Sequence, residues 1–439
     1  MKIVDDTKMK IGWFVNRIHP HPLSATFLVK GTFDLHHGGP ATLSPKQENL
    51  NGDVPGENGD LDYASDFAWF KPKTDVLLSG TCHSRGGKPT PVSRVTFQVG
   101  NWSKQLVVVG NRVRQKKMLI FTTASDPEPF EKMKLSYGLS YGGEKYPLNP
   151  VGRGHRGGSG PLPNLVEPDQ VMIAAESRPR PAGFGPISPA WAQRTHRPGT
   201  YGKRWEKERW PGFPADYDWT MQNAAPRDQQ LPARLRGDEK LVFENLHPEH
   251  PVYETRLPGI RARWFIRETD SRFREVELDL DTLWVDMDAE KLILLWRGVV
   301  DIRNKRMPEI LERFILAEPV DAPRKSLPEY SELLEKRIAE EAEALKFKPI
   351  RIRDASPSTP TLPDMSWRKA FDEKVDAARR EMAKLLEEGD RKIDKAKKRV
   401  ASIEGMPGWP VSPESTDPKS SYEKAIAVFQ ELKKKHPDS

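Results

Sequence analysis

The sequence predicts a mainly β fold of packed antiparallel sheets with a long loop-rich segment, followed by a helical C-terminal region, α+β overall. Three observations carry this expectation. In residues 92–109, Val95, Phe97 and Val99 share one face of a strand, and a short apolar run at 106–109 stops at Gly110, as a strand buried on both faces would. Farther on, Val276, Leu278 and Leu280 alternate with acidic residues. A turn-rich stretch at 286–290 then precedes the apolar run 292–296, which reads as a hairpin with a fully buried second strand. After Pro319 the apolar spacing changes from two to three and four, the period of a helix.

Along the chain, residues 10–120 read as β-structure interrupted by a polar, Gly- and Pro-containing loop at 41–62. Residues 138–232 lose all periodicity. Yet Phe184, Trp191, Tyr201, Trp205, Trp210, Phe213, Tyr217 and Trp219 fall within them. Disordered linkers are poor in aromatics, so this segment is expected to be ordered and pinned to the sheets by its rings. β-structure resumes near Lys240, and 313–317 is one more expected strand. Ser326 and Glu329 have the spacing of a capping box, with Pro328 in the first turn of a helix running to about Phe347. A second helix is expected from about Met365, striped by Trp367, Phe371 and Val375, and a third around Tyr422, Ile426 and Phe429. The expected division is a β-rich domain at 1–320 and a helical region with Pro-rich connectors at 321–439. Each helix must bury its apolar stripe, either against the others or on a partner, so Trp367, Phe371 and Val375 are a candidate docking stripe.

The chain has 439 residues, of which 36% are apolar and 30% charged. Its net charge of +7 is the difference between 70 basic and 63 acidic residues, which implies a mixed-sign surface. A nucleic-acid groove calls for a concentrated basic stripe with aromatics. The nearest stretch, 391–399, is interrupted by Asp394. Cys82 is the one cysteine, so no disulfide forms within the chain, as suits a reducing compartment. The opening residues lack the apolar run of a signal peptide, and no run approaches the roughly 18 apolar residues of a membrane span. A soluble cytoplasmic protein is expected.

The candidate chemistry is sparse. Gly152, Gly154 and Gly157 match G-x-G-x-x-G, but the flanking prolines offer no βαβ unit, so a structural glycine loop is the expectation. The histidines lack metal-ligand spacing, and Cys82 has no assignable base. Asp216 and Asp218 pair only on paper. No catalytic residue, metal or cofactor is therefore expected, and the chain is read as a non-enzyme. A hydrolase acting beside the glycine loop and a nucleic-acid-binding module are the alternatives.

A series of short boxes does carry a signal. Lys71, Pro72, Thr74 and Asp75 open it. Tyr141, Gly142 and Gly143 follow, then Asn149, Pro150, Gly152 and Gly154, then Asn164 with Glu167. Trp191 and Arg194 lead to Gly199, Tyr201 and Trp205, then Asp216, Pro226 and Gln229. In this order, across roughly residues 10–318, they resemble a bacterial family labelled a domain of unknown function, number twenty-one sixty-nine. The sequence departs from that pattern at Asn111, where the family usually has Asp, and at Val113, near where it often has Trp. The resemblance implies a type VI secretion adaptor or chaperone that stabilises a toxic effector and helps load it on the spike or tip protein. The partners implied are that effector and the tip protein, with no membrane and no nucleic acid. The boxed residues are then possible partner-binding positions.

Overall fold

The computed structural model describes residues 3–16, 24–56, 59–117, 121–155, 160–170, 178–210, 212–267, 273–301 and 312–346. Contacts divide the chain into two units, Met1–Lys348 and Pro349–Ser439. The second unit, with the expected docking stripe Trp367, Phe371 and Val375, lies outside the described residues.

The first unit is mainly β, as expected. Its largest sheet places Ser24–Asp34 between Lys10–Asn16 and Lys291–Asp301, and continues through Asp279–Asp286 and Thr74–Ser79 to Gln230–Leu231. All these pairings are antiparallel except that of Asp279–Asp286 with Thr74–Ser79. In Ser24–Asp34 the strand period of two sorts the faces. Ala25, Phe27, Val29 and Phe33 enter the main core. The opposite face carries Thr26, Lys30 and Thr32, which are also buried, with Gln47, Glu48, Asn49, Asp66 and Trp69 bonded to them. Thr26 Oγ1 donates to Trp69 O, Lys30 Nζ pairs with Asp66 at 3.0 Å, and Thr32 Oγ1 accepts from Glu48 N. Among the described residues, the loop expected at 41–62 contains short strands, Thr42–Leu43, Val54–Pro55 and Leu61–Tyr63.

A second sheet of five antiparallel strands runs in the order Leu165–Val166, Trp102–Val109, Val92–Val99, Lys240–Glu244, Val252–Arg256. Val95, Phe97 and Val99 are buried on one face, and residues 106–109 are buried on both, as their patterns predict. Phe97 stacks on Phe243 at 5.4 Å and meets Phe184 edge-on at 6.1 Å. Thus an aromatic ring from the loop-rich segment enters the main core.

The hairpin turn falls at residues 287–290, with Glu290 at φ 50°, and its second strand is buried from Leu292 to Trp296. Its first strand differs from expectation. It is Asp279–Asp286, whereas Val276 ends Phe273–Val276 in a separate four-stranded sheet. The switch needs Gly298, because a Cβ there would lie 2.5 Å from Glu277 O as the chain crosses between sheets.

The helix Leu327–Lys346 begins with the predicted capping box. Glu329 Oε2 accepts from Ser326 N and from Ser326 Oγ, both at 2.7 Å. Tyr330 and Leu334 pack with Val4, Phe265, Phe314 and Leu316 in a second core. This helix therefore packs within the compact unit Met1–Lys348. Among the described residues no helix is long and apolar enough to cross a membrane, and no cluster of His, Cys, Asp and Glu could hold a metal ion.

Candidate functional site: a cleft floored by Lys104

Strand parity decides the floor of the site. Lys104, Leu106 and Val108 share one face of Trp102–Val109, and the two apolar residues point into the core. A lysine on that face must find partners, since burying an unpaired ammonium is costly. Lys104 is 8% exposed and its Nζ donates to Gly183 O at 2.9 Å and to Gln229 Oε1 at 3.0 Å. Asp228 Oδ2 lies 2.7 Å from the same ammonium and forms an ion pair with it. Gln229 is fixed in turn, its Nε2 donating to Val76 O and Phe184 O.

Above this floor opens a cleft of about 610 Å³, lined among others by Glu167, Tyr137, Arg180, His196, Arg197 and Arg227. Among its parts are a strand residue, the residue after Leu165–Val166, the end of the short helix Ala192–Thr195, and the turn Arg227–Gln229. Glu167 Oε1 stands 3.6 Å from Lys104 Nζ, too far for a hydrogen bond. Burial raises its pKa above the ordinary glutamate value, Lys104 partly offsets that, and Asp228 adds to it. Arg197 is 4% exposed. Its Nη1 donates to Thr220 O, and its Nε has no partner. Burial, and then the nearby Arg227, lower its pKa. Neither Arg197 nor Arg227 forms an ion pair among the described residues.

The opening box builds the framework beside this cleft. Lys71 Nζ pairs with Asp75 Oδ2 at 2.7 Å and donates to Thr282 Oγ1 at 2.8 Å. Asp75 also accepts from Asn223 Nδ2 and Ala224 N, which ties the loop-rich segment to the sheet. Thr74 is buried against Leu280 O. Pro72 carries no hydrogen bond to the cleft.

The glycine boxes form one compact knot. Asn149 Nδ2 donates to Tyr137 O and Tyr141 O. Asn149 O would lie 2.1 Å from a Cβ on Gly142, and a Cβ on Gly152 would meet Ser140 O at 2.7 Å. Gly143 and Gly154 have φ of 146° and 91°, conformations open to glycine. Pro150 lies in the same turn. Tyr141 packs edge-on against Tyr146 and His155. Asn164 Nδ2 donates to Val109 O, and Asn164 Oδ1 accepts from Arg153. Of the G-x-G-x-x-G stretch, residues 153–154 pair with Tyr141–Gly142 as a short strand, and Gly157 lies outside the described residues. Trp191 packs edge-on against Tyr137 at 5.4 Å, and Arg194 Nη1 donates to Ile187 O.

The later boxes reach the surface. Gly199 has φ 80°, and Asp216 Oδ1 and Oδ2 accept from Thr200 N and Thr200 Oγ1. Those hydrogen bonds hold the Asp216 carboxyl below its usual pKa. Asp218 accepts likewise from Thr220, so the two aspartates serve separate turns. The clamp supports Tyr201, which meets Trp205 at 4.8 Å, while Trp205 Nε1 donates to Gly212 O. Tyr201 and Trp210 are 51% and 65% exposed.

Of the boxed residues, Glu167 and Pro226 line the cleft, Gln229 accepts from Lys104 at its floor, and Trp191 packs on the lining residue Tyr137. Tyr201, Trp205, Gly199 and Asp216 form the exposed platform instead. Sequence reasoning missed Arg197, Arg180 and His196, which sit in aperiodic chain. Lys104 was findable, as a lone lysine on the inward face of an apolar strand. Cys82 is fully buried, and burial pushes its thiol up to about 11, away from reactivity.

A family model described as an uncharacterized protein conserved in bacteria, DUF2169, matches residues 23–297. No curated protein and no solved structure gives a significant match.

Proposed function

The chain belongs to the bacterial family DUF2169, and from that premise we propose that it is an adaptor that binds a cognate secreted effector, stabilises it in the bacterial cytoplasm and helps load it on the tip of a type VI secretion needle. The observation that carries this reading is the use made of the boxed side chains. Most of them point inward and lock an aperiodic segment into one conformation. That segment then presents Tyr201, Trp210 and the Lys104 cleft on its outer side. Rigid presentation lowers the entropy cost of association, and Trp, Tyr and Arg are the residue types that dominate binding energy at interfaces.

Co-expression with the effector encoded beside it tests the proposal. The effector is expected to co-purify with this chain, and to lose solubility and secretion without it. An effector equally soluble and equally secreted in its absence overturns the reading.

A second reading, a hydrolase acting in the same cleft, draws on one feature: the raised carboxyl of Glu167 beside Asp228. It is weakened by Lys104, which already holds Asp228 in an ion pair.

A further inference from the structure

We propose that His37, His247 and His250 form an acid-released latch that closes residues 36–41 over the edge of the five-stranded sheet. Val252–Arg256 is the last strand of that sheet, and residues 38–41 run along it. Gly38 N and Ala41 N donate to Glu254 O and Arg256 O, at 2.8 and 2.9 Å. Thr255 Oγ1 donates to Gly39 O at 2.8 Å. Three imidazoles stack beside this seam. The His250 ring lies 4.1 Å from that of His37 and 4.9 Å from that of His247.

Backbone donors fix the protonation of two of these rings. A backbone N–H can only donate, so the ring nitrogen that meets it must offer a lone pair. His247 Nδ1 accepts from Glu249 N and His250 N, both at 3.1 Å, and His37 Nδ1 accepts from Glu254 N at 3.2 Å. His247 is 8% exposed, and its Nε2 donates to Glu290 Oε1 at 3.3 Å. The neutral imidazole thus serves both ring nitrogens. A further proton on His247 must sit on Nδ1, against two N–H groups, and one on His37 Nδ1 breaks the bond to Glu254 N.

The charged groups around the stack do not reverse this. Glu290 already accepts from the neutral His247 ring, and its other oxygen accepts from Tyr253. Glu254 is paired with Lys240, and Glu249 is exposed. Asp288 accepts from Thr81, and His36 meets Thr42. Burial and Lys132 hold the His83 imidazole below its ordinary pKa, Asp288 opposes them, and a charge on His247 adds to them. An unfolded chain takes up its imidazole protons freely. The closed form therefore loses stability as pH falls through the range where imidazole titrates, near about pH 6.5. Opening bares the outer N–H and C=O groups of Val252–Arg256, a template for a strand of another chain.

The test uses the full-length protein, first with ¹⁵N-labelled histidine. At about pH 8 the His247 ring is expected as the Nε2–H tautomer. Amide hydrogen exchange at Gly38, Ala41 and Glu254, corrected for intrinsic rates, is expected to speed at least tenfold between about pH 7.5 and about pH 5. The amides of Val92–Val99, inside the same sheet, are expected not to change. A variant carrying His37→Asn and His247→Asn keeps a side-chain oxygen that can accept from the same amides but takes no proton. It is expected to cut the acid response at least fivefold. An Nδ1–H tautomer overturns the proposal, and so does equal protection at the two pH values. Equal acceleration across Val92–Val99 also overturns it, because that is global unfolding. So does a double variant that opens as the parent does. The tautomer and exchange readings are made on the unaltered protein, so they decide even where the double variant fails to fold.

Discussion

Lys71 and Asp75 form an ion pair 2.7 Å long inside the protein, with side chains 3% and 0% exposed. Both charges depend on it, because each has left water. Asp75 also holds Asn223 and Ala224, so one carboxylate joins the sheet to the loop-rich segment. Asp75→Ala is expected to destabilise the protein by about 3–5 kcal/mol, leaving Lys71 buried and unpaired. Adding Lys71→Met should recover part of the loss. Urea unfolding of the single and double variants checks this, and a double variant no more stable than Asp75→Ala would count against the pair.

The glycine knot makes a steric prediction. Gly142→Ala drives a Cβ to 2.1 Å from Asn149 O, which is backbone and cannot swing aside. A cost of about 1–3 kcal/mol or more is expected. Gly52→Ala meets nothing within 4 Å and should change stability by less than about 0.5 kcal/mol. Equal denaturation midpoints for the two variants would contradict the geometry.

Glu167 makes stability depend on pH with a definite sign. A carboxyl whose folded pKa is raised binds more protons folded than unfolded between the two values. Stability therefore falls as pH rises from the ordinary value of 4.5 through the raised one. Glu167→Gln should remove that decline and match or exceed the parent at neutral pH. Thermal unfolding across this interval is the measurement, and a parent that gains on the variant with rising pH would refute it.

The helix Leu327–Lys346 sets the limit of truncation. A chain ending at residue 322 lacks Tyr330 and Leu334, whose core sites each account for a few kcal/mol. It is expected to unfold or aggregate, while a chain ending at Lys348 keeps the cooperative transition of the β-rich unit. Circular dichroism melts of both chains decide the matter.

Tyr201 and Trp210 separate surface from core. Their substitution by alanine should leave stability within about 0.5 kcal/mol, since both rings are largely in water. On the adaptor reading it should also reduce effector capture at least tenfold. Unchanged capture would remove the platform from the interface.

What the sequence determined by itself is whatever repeats at short range. The alternation of Val95, Phe97 and Val99, the apolar run 292–296 and the Ser326–Glu329 capping box each read correctly, because strand period and helix caps are properties of a few adjacent residues. Tertiary structure alone decided the rest. Val276 left the hairpin because Gly298, 22 residues later, lets the chain cross to another sheet. The first C-terminal helix joined the β-rich unit because Phe265 and Phe314 leave room for Tyr330. The cleft assembles Lys104, Glu167, Arg197 and Asp228 from four separate stretches. In aperiodic chain no local pattern fixes direction, so only packing could show that most boxed residues turn inward and that Arg197 is left with a donor unmet.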